Sequence, residues 1–312
     1  MKNRKIGIIG TGNVGATLAF TLAIKNICST ILLKDIRDDL SQAMALDISQ
    51  ATHALKLATK IIAIKDNKDF HDCDIVVITA GIARKPGMSR DDLLFTNAKI
   101  MKNVVEDVIQ HNPTAILIIV SNPLDVMVYQ ALKVSNWSNN RVIGMAGILD
   151  SARMSHFIEE KLSYGIGEID AQVMGGHGND MVPLTSLSKV KDKNLQEVLN
   201  DKDIDEIVNK TKHAGAQIVE LLGTGSAYFA PASSTAIIID AILNDKKEIH
   251  PCAVMLSGEY GFNDIVAGVP VILGKNGVEG IIELNLDESQ KFDFMNSVAT
   301  VRNLIETLNS NN

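Results

Sequence analysis

Polar side chains stand at the ends of apolar runs at several places in this sequence, and their types are suited to chemistry. Asn122 lies in "VSNPLD", Asp150 and Arg153 lie in "GMAGILDSARM", and His177 lies in "MGGHGNDMVP". An open parallel sheet binds its ligands beyond the carboxyl ends of its strands. We therefore expect these four side chains to meet at one site.

The spacing of Asp150 and Arg153 indicates what such a site could do. Residues three apart lie on the same side of a helical turn. A carboxylate can orient a histidine and stabilise its charged form, while an arginine binds a carboxylate through two hydrogen bonds. The pattern favours proton transfer by His177 beside an anion-binding arginine. Plainer explanations stay open, because Asp150 could cap a helix that starts at Ser151, and a histidine between glycines is often a surface or core residue.

A loop with two arginines follows the apolar run "DIVVITAG". In "ARKPGMSR", residues 83–90, Arg84 and Arg90 are six positions apart with Pro86-Gly87 between them. Arginines on loops are usually just solvated. Two of them on a bendable segment favour instead a loop that closes over an anionic ligand.

The stretch "GIIGTGNVGATLAF" has the pattern G-x-G-x-x-G between an apolar strand and a helical run. Glycines at these positions permit a tight turn and the close approach of a pyrophosphate to a helix N-terminus. A glycine-rich turn without a ligand is the alternative for the motif taken alone. With its flanks, the motif predicts a dinucleotide site formed by Gly10, Thr11, Gly12, Asn13, Val14 and Gly15.

A carboxylate follows this motif at the distance expected for a ribose ligand. Asp35 ends the predicted strand "TILLKD", twenty residues after Gly15. There it can accept hydrogen bonds from the adenosine ribose hydroxyls, and it repels a 2′-phosphate. The residue therefore favours NAD over NADP, although Lys34 and Arg37 could partly screen the repulsion.

Apolar β-rich runs alternate with helical patterns in the first half of the chain. This order predicts an α/β fold with a doubly wound parallel sheet of the Rossmann type. In the second half, "AQVMGGHGNDMVPL" predicts strand, turn and strand, and a hairpin is predicted to turn at Asn276-Gly277. We expect an NAD-binding domain at residues 1–147 and a mixed α+β substrate-binding and catalytic domain at residues 148–312. Helices are predicted near residues 39–55, 92–111, 203–222 and 288–308.

The last of these helices is predicted from apolar side chains at helical spacing. Steps of three or four residues are typical of one side of a helix. The residues at this spacing are Phe292, Met295, Val298, Arg302, Ile305 and Leu308.

The composition excludes several classes of protein. The 312 residues are 46% hydrophobic, and 30 basic against 37 acidic side chains give a net charge of −7. A net negative chain argues against a nucleic-acid partner. The cysteines Cys28, Cys73 and Cys252 lie far apart without a C-x-x-C spacing, so we expect neither disulfides nor a metal site. A cytoplasmic protein fits this pattern.

An uncharged run near the start resembles a signal peptide only superficially. Residues 6–24 carry no charge and follow "MKNRK". Four glycines and the polar residues Thr11 and Asn13 interrupt the run, and no small-residue cleavage site follows. We expect neither secretion nor a membrane partner.

These motifs, taken in order along essentially the whole chain, resemble the lactate and malate dehydrogenase family. Within it the chain is similar to malate dehydrogenases that are lactate-dehydrogenase-like. The matching stretches are "GTGNVGA", "ITAGIARKPGMSRDDLL", "VSNPLD", "GMAGILDSARM", "MGGHGNDMVPL" and "DIVAGVPVILGKNGVEGI".

The resemblance implies a role for each matching residue. His177 matches the proton acceptor and donor, Asp150 matches its carboxylate partner, and Arg153 matches the arginine that binds the first carboxylate of the substrate. Arg90 matches the residue that polarises the reacting carbonyl. Contacts on the nicotinamide side are implied for Asn97, Val120, Ser121 and Asn122, of which Asn122 also contacts the substrate.

Arg84 bears on the choice of substrate. In lactate-specific members of the family the corresponding loop position resembles a glutamine. An arginine at this position, as in this sequence, is similar to the malate-specific members. A second guanidinium would be poorly paired if the methyl group of pyruvate faced it. The resemblance thus implies NAD-dependent interconversion of the dicarboxylates malate and oxaloacetate, as in the tricarboxylic acid cycle. The rivals are the same chemistry on lactate or another 2-hydroxy acid, and a non-catalytic NAD-binding module.

The resemblance also bears on the oligomeric state, and the sequence differs from the family pattern at two positions. Members of the family are dimers or tetramers, so a homotetramer or homodimer is implied. Asn179 stands where an aspartate is usual, which bears on the support of the His177 loop. Lys34 directly precedes Asp35, which bears on cofactor preference.

Overall fold

The structure, a computed structural model, describes residues 3–82, 87–162 and 167–310 of the chain. The strands are β1 (Lys5–Ile9), β2 (Thr30–Lys34), β3 (Lys60–Ala63), β4 (Ile75–Ile78), β5 (Ile116–Ile119), β6 (Val142–Gly144), β7 (Ile169–Asp170), β8 (Val173–Met174), β9 (Val182–Pro183), β10 (Lys189–Val190), β11 (Lys193–Asn194), β12 (Glu248–Ser257), β13 (Asn263–Gly274) and β14 (Gly277–Ile281). The helices are α1 (Asn13–Ile24), α2 (Asp38–Ala54), α3 (Arg90–His111), α4 (Leu124–Ser135), α5 (Gly147–Leu162), α6 (Leu195–Val198), α7 (Asp201–Leu222), α8 (Phe229–Leu243) and α9 (Glu288–Ser310).

The parallel strands β1 to β6 form the centre of the molecule. Within the described residues, nine strands make one sheet in the order β14-β13-β12-β6-β5-β4-β1-β2-β3. Every residue of β4 and β5 is buried, as expected for strands that helices cover on both faces. The strand order reverses between β1 and β4, and sheets of this kind bind ligands in the crevice at that point. The predicted doubly wound sheet is confirmed.

The second half of the chain adds antiparallel strands to the same sheet. β12 pairs with β6 through Ala253 and Gly144, and β13 and β14 follow it. β8 and β9 form a separate antiparallel pair, as the strand-turn-strand pattern predicted. The mixed character of this half is thus confirmed. The division into domains at residues 1–147 and 148–312 stays a prediction.

The hairpin of β13 and β14 turns one residue earlier than predicted. Gly274 pairs with Gly277, so Lys275 and Asn276 form the turn, and the prediction of Asn276-Gly277 is wrong by one position. Gly277 meets a different need. Its φ is +92°, and a Cβ atom there would overlap the carbonyl oxygen of Asn140. Glycine at the start of β14 therefore lets two backbones approach closely.

Capping side chains start two of the predicted helices slightly earlier than expected. α3 begins at Arg90 because Ser89 Oγ accepts a hydrogen bond from the backbone of Asp92, whose carboxylate accepts one from the Ser89 backbone. α7 begins directly after Asn200, whose side chain accepts a hydrogen bond from the backbone of Asp203. These caps satisfy N–H groups that lack partners within the first helical turn. The predicted helices are present with shifted ends.

The last helix, α9, does not bury all the apolar side chains from which it was predicted. Phe292 and Met295 are 64% and 56% exposed. Phe294 is buried instead, and its ring centroid lies 5.1 Å from that of Tyr260 and 5.8 Å from that of Phe262. The spacing predicts the helix correctly, but which side is buried depends on the neighbours that pack against it.

The three cysteines Cys28, Cys73 and Cys252 are free and buried. Burial raises the pKa of Cys28 and of Cys73 to about 12, and it raises the pKa of Cys252 as well. They therefore act as small apolar side chains. In the part of the chain that the structure describes, no helix is both long and apolar enough to cross a membrane, and no three His, Cys, Asp or Glu side chains could jointly hold a metal.

Replacing Phe294 by alanine should lower the free energy of unfolding by about 3–5 kcal/mol, because a large side chain leaves a packed core. Phe292→Ala, on the exposed side of the same helix, should change it by about 0.5 kcal/mol or less. Urea unfolding followed by circular dichroism measures both. Equal losses in the two variants would contradict the assignment of the buried side of α9.

Candidate active site

His177 lies in the turn that joins β8 to β9. Gly175 starts this turn with a φ of +86°, a conformation that other residues rarely adopt. The backbone N–H of Gly176 donates to Ser297 Oγ, 2.8 Å away, which ties the turn to α9. The His177 side chain is 14% exposed and lines a cavity. The turn thus brings a nearly buried imidazole to a cavity wall.

Asp150 holds this imidazole from helix α5. Its Oδ2 lies 2.8 Å from Nδ1 of His177, and its Oδ1 accepts a hydrogen bond from Nη1 of Arg153 at 3.0 Å. The side chain of Asp150 is 2% exposed, so both oxygens are removed from water and both are paired. The predicted same-side arrangement of Asp150 and Arg153 is confirmed. The capping alternative is wrong, because α5 begins at Gly147 and places Asp150 inside the helix.

The surroundings of His177 raise its pKa above the ordinary value of 6.5. Burial, the largest single influence, lowers the pKa because it disfavours the charged ring. The charge of Asp150, its hydrogen bond and the charge of Asp125 act in the opposite direction, and together they outweigh burial and the repulsion from Arg153. The imidazolium is therefore stabilised near neutral pH.

A second carboxylate, Asp125, contacts His177 and was not singled out from the sequence. It lies in the first turn of α4, and its Oδ2 accepts a hydrogen bond from the backbone N–H of His177 at 2.8 Å. Burial raises the pKa of the Asp125 carboxyl to about 6. The sequence does carry a sign of it, since Asp125 interrupts the apolar helix "LDVMVYQAL". A charge in a helix that the core surrounds needs an explanation.

A cavity of about 300 Å³ lies beside His177. Asn122, Arg153 and His177 line it, and Asp150 supports the latter two from behind. The four side chains that were predicted to meet therefore do so. Further parts of the wall come from α7, α8 and the segment between them, which the sequence analysis missed. These wall residues are Lys212, Gly215, Ala216, Val219, Ser226, Ala227 and Pro231.

The α7 part of the wall follows helical spacing and makes room for Arg153. A Cβ atom on Gly215 would lie 3.3 Å from Nη2 of Arg153, so the guanidinium rests directly against the helix. Lys212, one turn earlier and half-buried, adds a second positive side chain to the wall. A lysine and small residues at steps of three and four were the available signal in the sequence. The cavity is therefore suited to an anionic ligand.

Hydrogen bonds fix the backbone at the ends of β4 and β5 beside this cavity. Asn97 is buried, and its amide nitrogen donates to the carbonyl oxygen of Asn122 at 2.7 Å. The hydroxyl of Ser121 donates to the carbonyl oxygen of Ala80 at 2.6 Å. Val120 lines the cavity itself. Asn97 and Ser121 thus hold the segment that presents Asn122, and the nicotinamide contacts implied for them stay predictions.

The loop arginines were predicted to reach the same site. Arg84 lies outside the described residues. Arg90 is the first residue of α3; it is exposed and does not line the cavity. Asn179, one of the departures from the family pattern, is exposed and lines the cavity next to His177. The roles of both arginines over a substrate stay predictions.

The glycine-rich turn lines a second cavity, of about 650 Å³. A Cβ atom on Gly15 would overlap the carbonyl oxygen of Gly10, so helix and strand pack as closely as the motif requires. Among the described residues, no atom lies within 4 Å of the place where a Cβ of Gly12 would stand. Helix α1 begins next, at Asn13, and no side chain in the described part of the chain caps it. Its first N–H groups are therefore available to a pyrophosphate.

Asp35 lines this second cavity with its carboxylate held in place. Its Oδ2 accepts a hydrogen bond from the backbone N–H of Thr11 at 2.6 Å, and its Oδ1 accepts one from the backbone N–H of Arg37 at 3.1 Å. The Thr11 hydroxyl also donates to Oδ2, at 3.2 Å. These three hydrogen bonds leave acceptor capacity at Oδ1 for ribose hydroxyls. Ile36, 99% exposed, supplies an apolar surface in the same cavity. These residues fit a dinucleotide with a free 2′-hydroxyl.

The two cavities adjoin. Val14 and Ser226 line both of them. One end of a dinucleotide bound at the glycine-rich turn therefore reaches the cavity that holds His177 and Arg153. This arrangement can bring a redox cofactor to a small anion beside a proton acceptor.

Two family models match the chain. Residues 4–144 match "lactate/malate dehydrogenase, NAD binding domain", and residues 148–311 match "lactate/malate dehydrogenase, alpha/beta C-terminal domain". A protein of Aliarcobacter butzleri named malate dehydrogenase is 60% identical over 311 residues, which cover 100% of this chain and 99% of that protein.

Solved structures share the whole fold. The malate dehydrogenase of Cryptosporidium parvum is 39% identical with a TM-score of 0.96, and 99% of each chain is covered. The lactate dehydrogenase of Cryptosporidium parvum, solved with lactic acid and nicotinamide adenine dinucleotide, is 38% identical with a TM-score of 0.95, again over 99% of each chain. These full-length matches, together with a histidine–aspartate pair beside a dinucleotide cavity, show that the chain belongs to the lactate/malate dehydrogenase family.

Proposed function

We propose that this protein is an NAD-dependent malate dehydrogenase, which interconverts (S)-malate and oxaloacetate. The observation that carries the proposal is the pair of His177 and Asp150, 2.8 Å apart in a cavity wall that also holds Arg153. A 2-hydroxy acid needs both a proton acceptor at its hydroxyl and a cation at its carboxylate. The 60% identity to a protein named malate dehydrogenase supports the choice of acid.

His177 moves the proton of the reaction. Asp150 engages Nδ1, so Nε2 is the ring nitrogen available to the hydroxyl of the substrate. In malate oxidation the neutral ring removes that proton, and the carboxylate of Asp150 stabilises the imidazolium so formed. In the reverse direction the imidazolium returns the proton to the carbonyl oxygen. When bound, NAD supplies the hydride chemistry at C2 of the substrate.

Cations bind the anionic ends of the substrate. Arg153 binds the carboxylate next to the reacting carbon. We assign the second carboxylate to Arg84 and the reacting carbonyl to Arg90, on a segment that closes over the site and excludes water, with Asn122 beside them. Lys212 adds positive charge to the cavity wall. A cation facing the methyl group of pyruvate would lose its partner, which favours a dicarboxylate.

NAD is the cofactor of the second cavity. The turn from Gly10 to Gly15 and the first N–H groups of α1 bind the pyrophosphate, and Asp35 binds the adenosine ribose. Asn97 and the segment 120–122 face the nicotinamide. The carboxylate of Asp35 excludes a 2′-phosphate because like charges repel.

The family and the surface support a proposal for the assembly and the setting. We assign a homotetramer or a homodimer, acting in the cytoplasm in the tricarboxylic acid cycle, without a nucleic-acid or membrane partner. Large apolar side chains exposed on three helices support an interface between copies, since exposed apolar surface of this kind marks contact sites. They are Leu46, Leu221 and Phe229.

Oxaloacetate should oxidise NADH faster than pyruvate does at matched concentration, because only oxaloacetate has a second carboxylate, which Arg84 can bind. Arg84→Gln should lower the ratio of kcat/KM for oxaloacetate to kcat/KM for pyruvate by about 10²-fold or more. A site built to bind a polar group discriminates strongly against a substrate that lacks this group. Lys85→Gln removes a neighbouring charge and should preserve the ratio. Faster turnover of pyruvate by the unmodified protein would contradict the proposed substrate.

The acid limb of malate oxidation should have its midpoint above pH 6.5, the ordinary pKa of histidine. The reaction needs the neutral ring, and a raised pKa keeps the ring protonated to higher pH, so kcat/KM falls as the pH drops through that raised value. Asp150→Asn removes the main raising influence, so the midpoint should move down and kcat should fall about 10²-fold to 10⁴-fold. Asp170→Asn, at an exposed carboxylate, is the control. A midpoint that Asp150→Asn leaves in place would disprove the pairing.

Asp35→Ser should raise the KM for NAD about 10-fold to 100-fold, because hydrogen bonds to a charged group are lost. The substitution should also reduce the preference for NAD over NADP, because the repulsion between the carboxylate and a 2′-phosphate disappears. Asp38→Ser, three residues on in the first turn of α2, is the matched control and should change neither value. Steady-state kinetics with both cofactors measure the ratio. An unchanged ratio in Asp35→Ser would remove Asp35 from the cofactor site.

A further inference from the structure

Asp125 is a buried acidic residue in contact with the catalytic histidine, and none of the steps above uses it. It is 6% exposed. Its Oδ2 accepts the backbone N–H of His177 at 2.8 Å, and its Oδ1 has no hydrogen-bond partner among the residues that the structure describes. A Cβ atom on Gly176 would lie 3.5 Å from Oδ2. The carboxylate therefore contacts the histidine turn and does not line the substrate cavity.

The hydrogen bond alone does not account for a carboxylate at this position. The first turn of α4 favours negative charge, but burial and an unpaired oxygen both oppose it. An asparagine oxygen would accept the same backbone hydrogen bond without the cost of burying a charge. His177 and Asp150 are the ionisable groups with a large influence on the pKa of Asp125 among the described residues. The charge is thus directed at the histidine site.

We propose that Asp125 is a positioning residue for proton transfer: its Oδ2 fixes the main chain of His177, and its negative charge helps Asp150 to stabilise the imidazolium. The inference rests on the proposed function of His177 as the proton acceptor. With a neutral ring, the cluster of Asp125, Asp150, Arg153 and His177 holds two negative charges and one positive charge. Protonation of the ring balances them. Proton uptake from the substrate therefore neutralises a buried excess charge.

The charges that face the ring come from two helices. Asp125 belongs to α4, and Asp150 and Arg153 belong to α5. Burial places the pKa of Asp125 at about 6, close to the range in which imidazoles titrate. The ring and the Asp125 carboxyl, each named among the influences on the other, therefore titrate as a coupled pair. As the pH falls through the pKa of Asp125, the carboxyl is protonated and its support of the imidazolium is lost.

Two substitutions separate the hydrogen bond of Asp125 from its charge. Asp125→Asn retains an acceptor for the His177 N–H but is neutral, so the midpoint of the acid limb of malate oxidation should fall by about one pH unit, with kcat on the plateau changed less than about threefold. Asp125→Ala also removes the acceptor, so kcat/KM should fall about 10-fold to 100-fold as the ring loses its position. A midpoint unmoved in Asp125→Asn, or an unchanged kcat/KM in Asp125→Ala, would overturn the proposal.

Ser297→Ala provides a matched control, because Ser297 lies on α9 and holds the same turn through Gly176. Ser297 Oγ accepts the backbone N–H of Gly176 at 2.8 Å, as Asp125 accepts that of His177, but the serine is neutral. Loss of the Ser297 hydroxyl should lower the Tm and leave the midpoint of the acid limb of malate oxidation in place. If Ser297→Ala moved the midpoint as far as Asp125→Asn does, the shift would report a loosened turn, and the charge assigned to Asp125 would be refuted.

An NMR titration of the histidine rings in the unmodified apoprotein tests the coupling without relying on catalysis or on the folding of a variant at Asp125. The His177 signal is identified by its loss in His177→Asn. It should respond in two steps, one for its own ionisation and one for that of Asp125. A single-step curve would overturn the inference. Failure of the proposed function would show itself differently, as an absence of oxaloacetate-dependent NADH oxidation whatever the shape of the curve.

Discussion

The site depends on keeping the carboxylate of Asp150 charged in a place that water does not reach. An isolated carboxylate there would be neutralised or would cost several kcal/mol. His177 and Arg153 prevent this, because each donates to a different oxygen of Asp150. Removing either partner leaves one oxygen of a buried carboxylate without a donor, at a cost of about 1–3 kcal/mol. The geometry needed for proton transfer is therefore also the geometry that the buried charge needs in order to persist.

The topology of the sheet explains how two carboxylates reach one histidine. β5 and β6 are adjacent parallel strands, and each is followed by a helix. The carboxylates in the first turns of these helices, Asp125 in α4 and Asp150 in α5, therefore stand at the same edge of the sheet. The β8–β9 turn then brings His177 into contact with both. Both carboxylates therefore stand on helices that directly follow buried strands of the central sheet.

Local patterns in the sequence were sufficient for much of this architecture. The glycine motif, the alternation of strands and helices, and the three-residue step from Asp150 to Arg153 are short-range features, and each predicted what the structure shows. What the sequence did not indicate depends on tertiary contacts. The buried side of α9, which contains Phe294 and leaves Phe292 exposed, depends on where Tyr260 lies.

The role of Asp125 was missed for the same reason. The apolar neighbours of Asp125 in "LDVMVYQAL" were a sign of its burial, but an acidic residue in the first turn of a helix is ordinary, and its contact with His177 appears only in the folded chain. The α7 face behind Arg153 was missed because small residues at helical spacing usually indicate close packing. Only the position of the guanidinium against Gly215 shows that the face also serves the site.

The backbone alone does not determine which 2-hydroxy acid such a site accepts, because a malate dehydrogenase and a lactate dehydrogenase match this chain almost equally well. The proposed function accordingly assigns proton transfer and substrate choice to different side chains. Both oxygens of Asp150 are paired within the protein itself, so the loss of either partner costs stability as well as activity. A cation whose intended partner is the substrate makes no such demand on the fold, since its interaction forms only on binding. On the proposed assignment of the second carboxylate to Arg84, substrate preference can accordingly change through one loop residue while the His177–Asp150 pair, which the buried charge holds in place, stays constant.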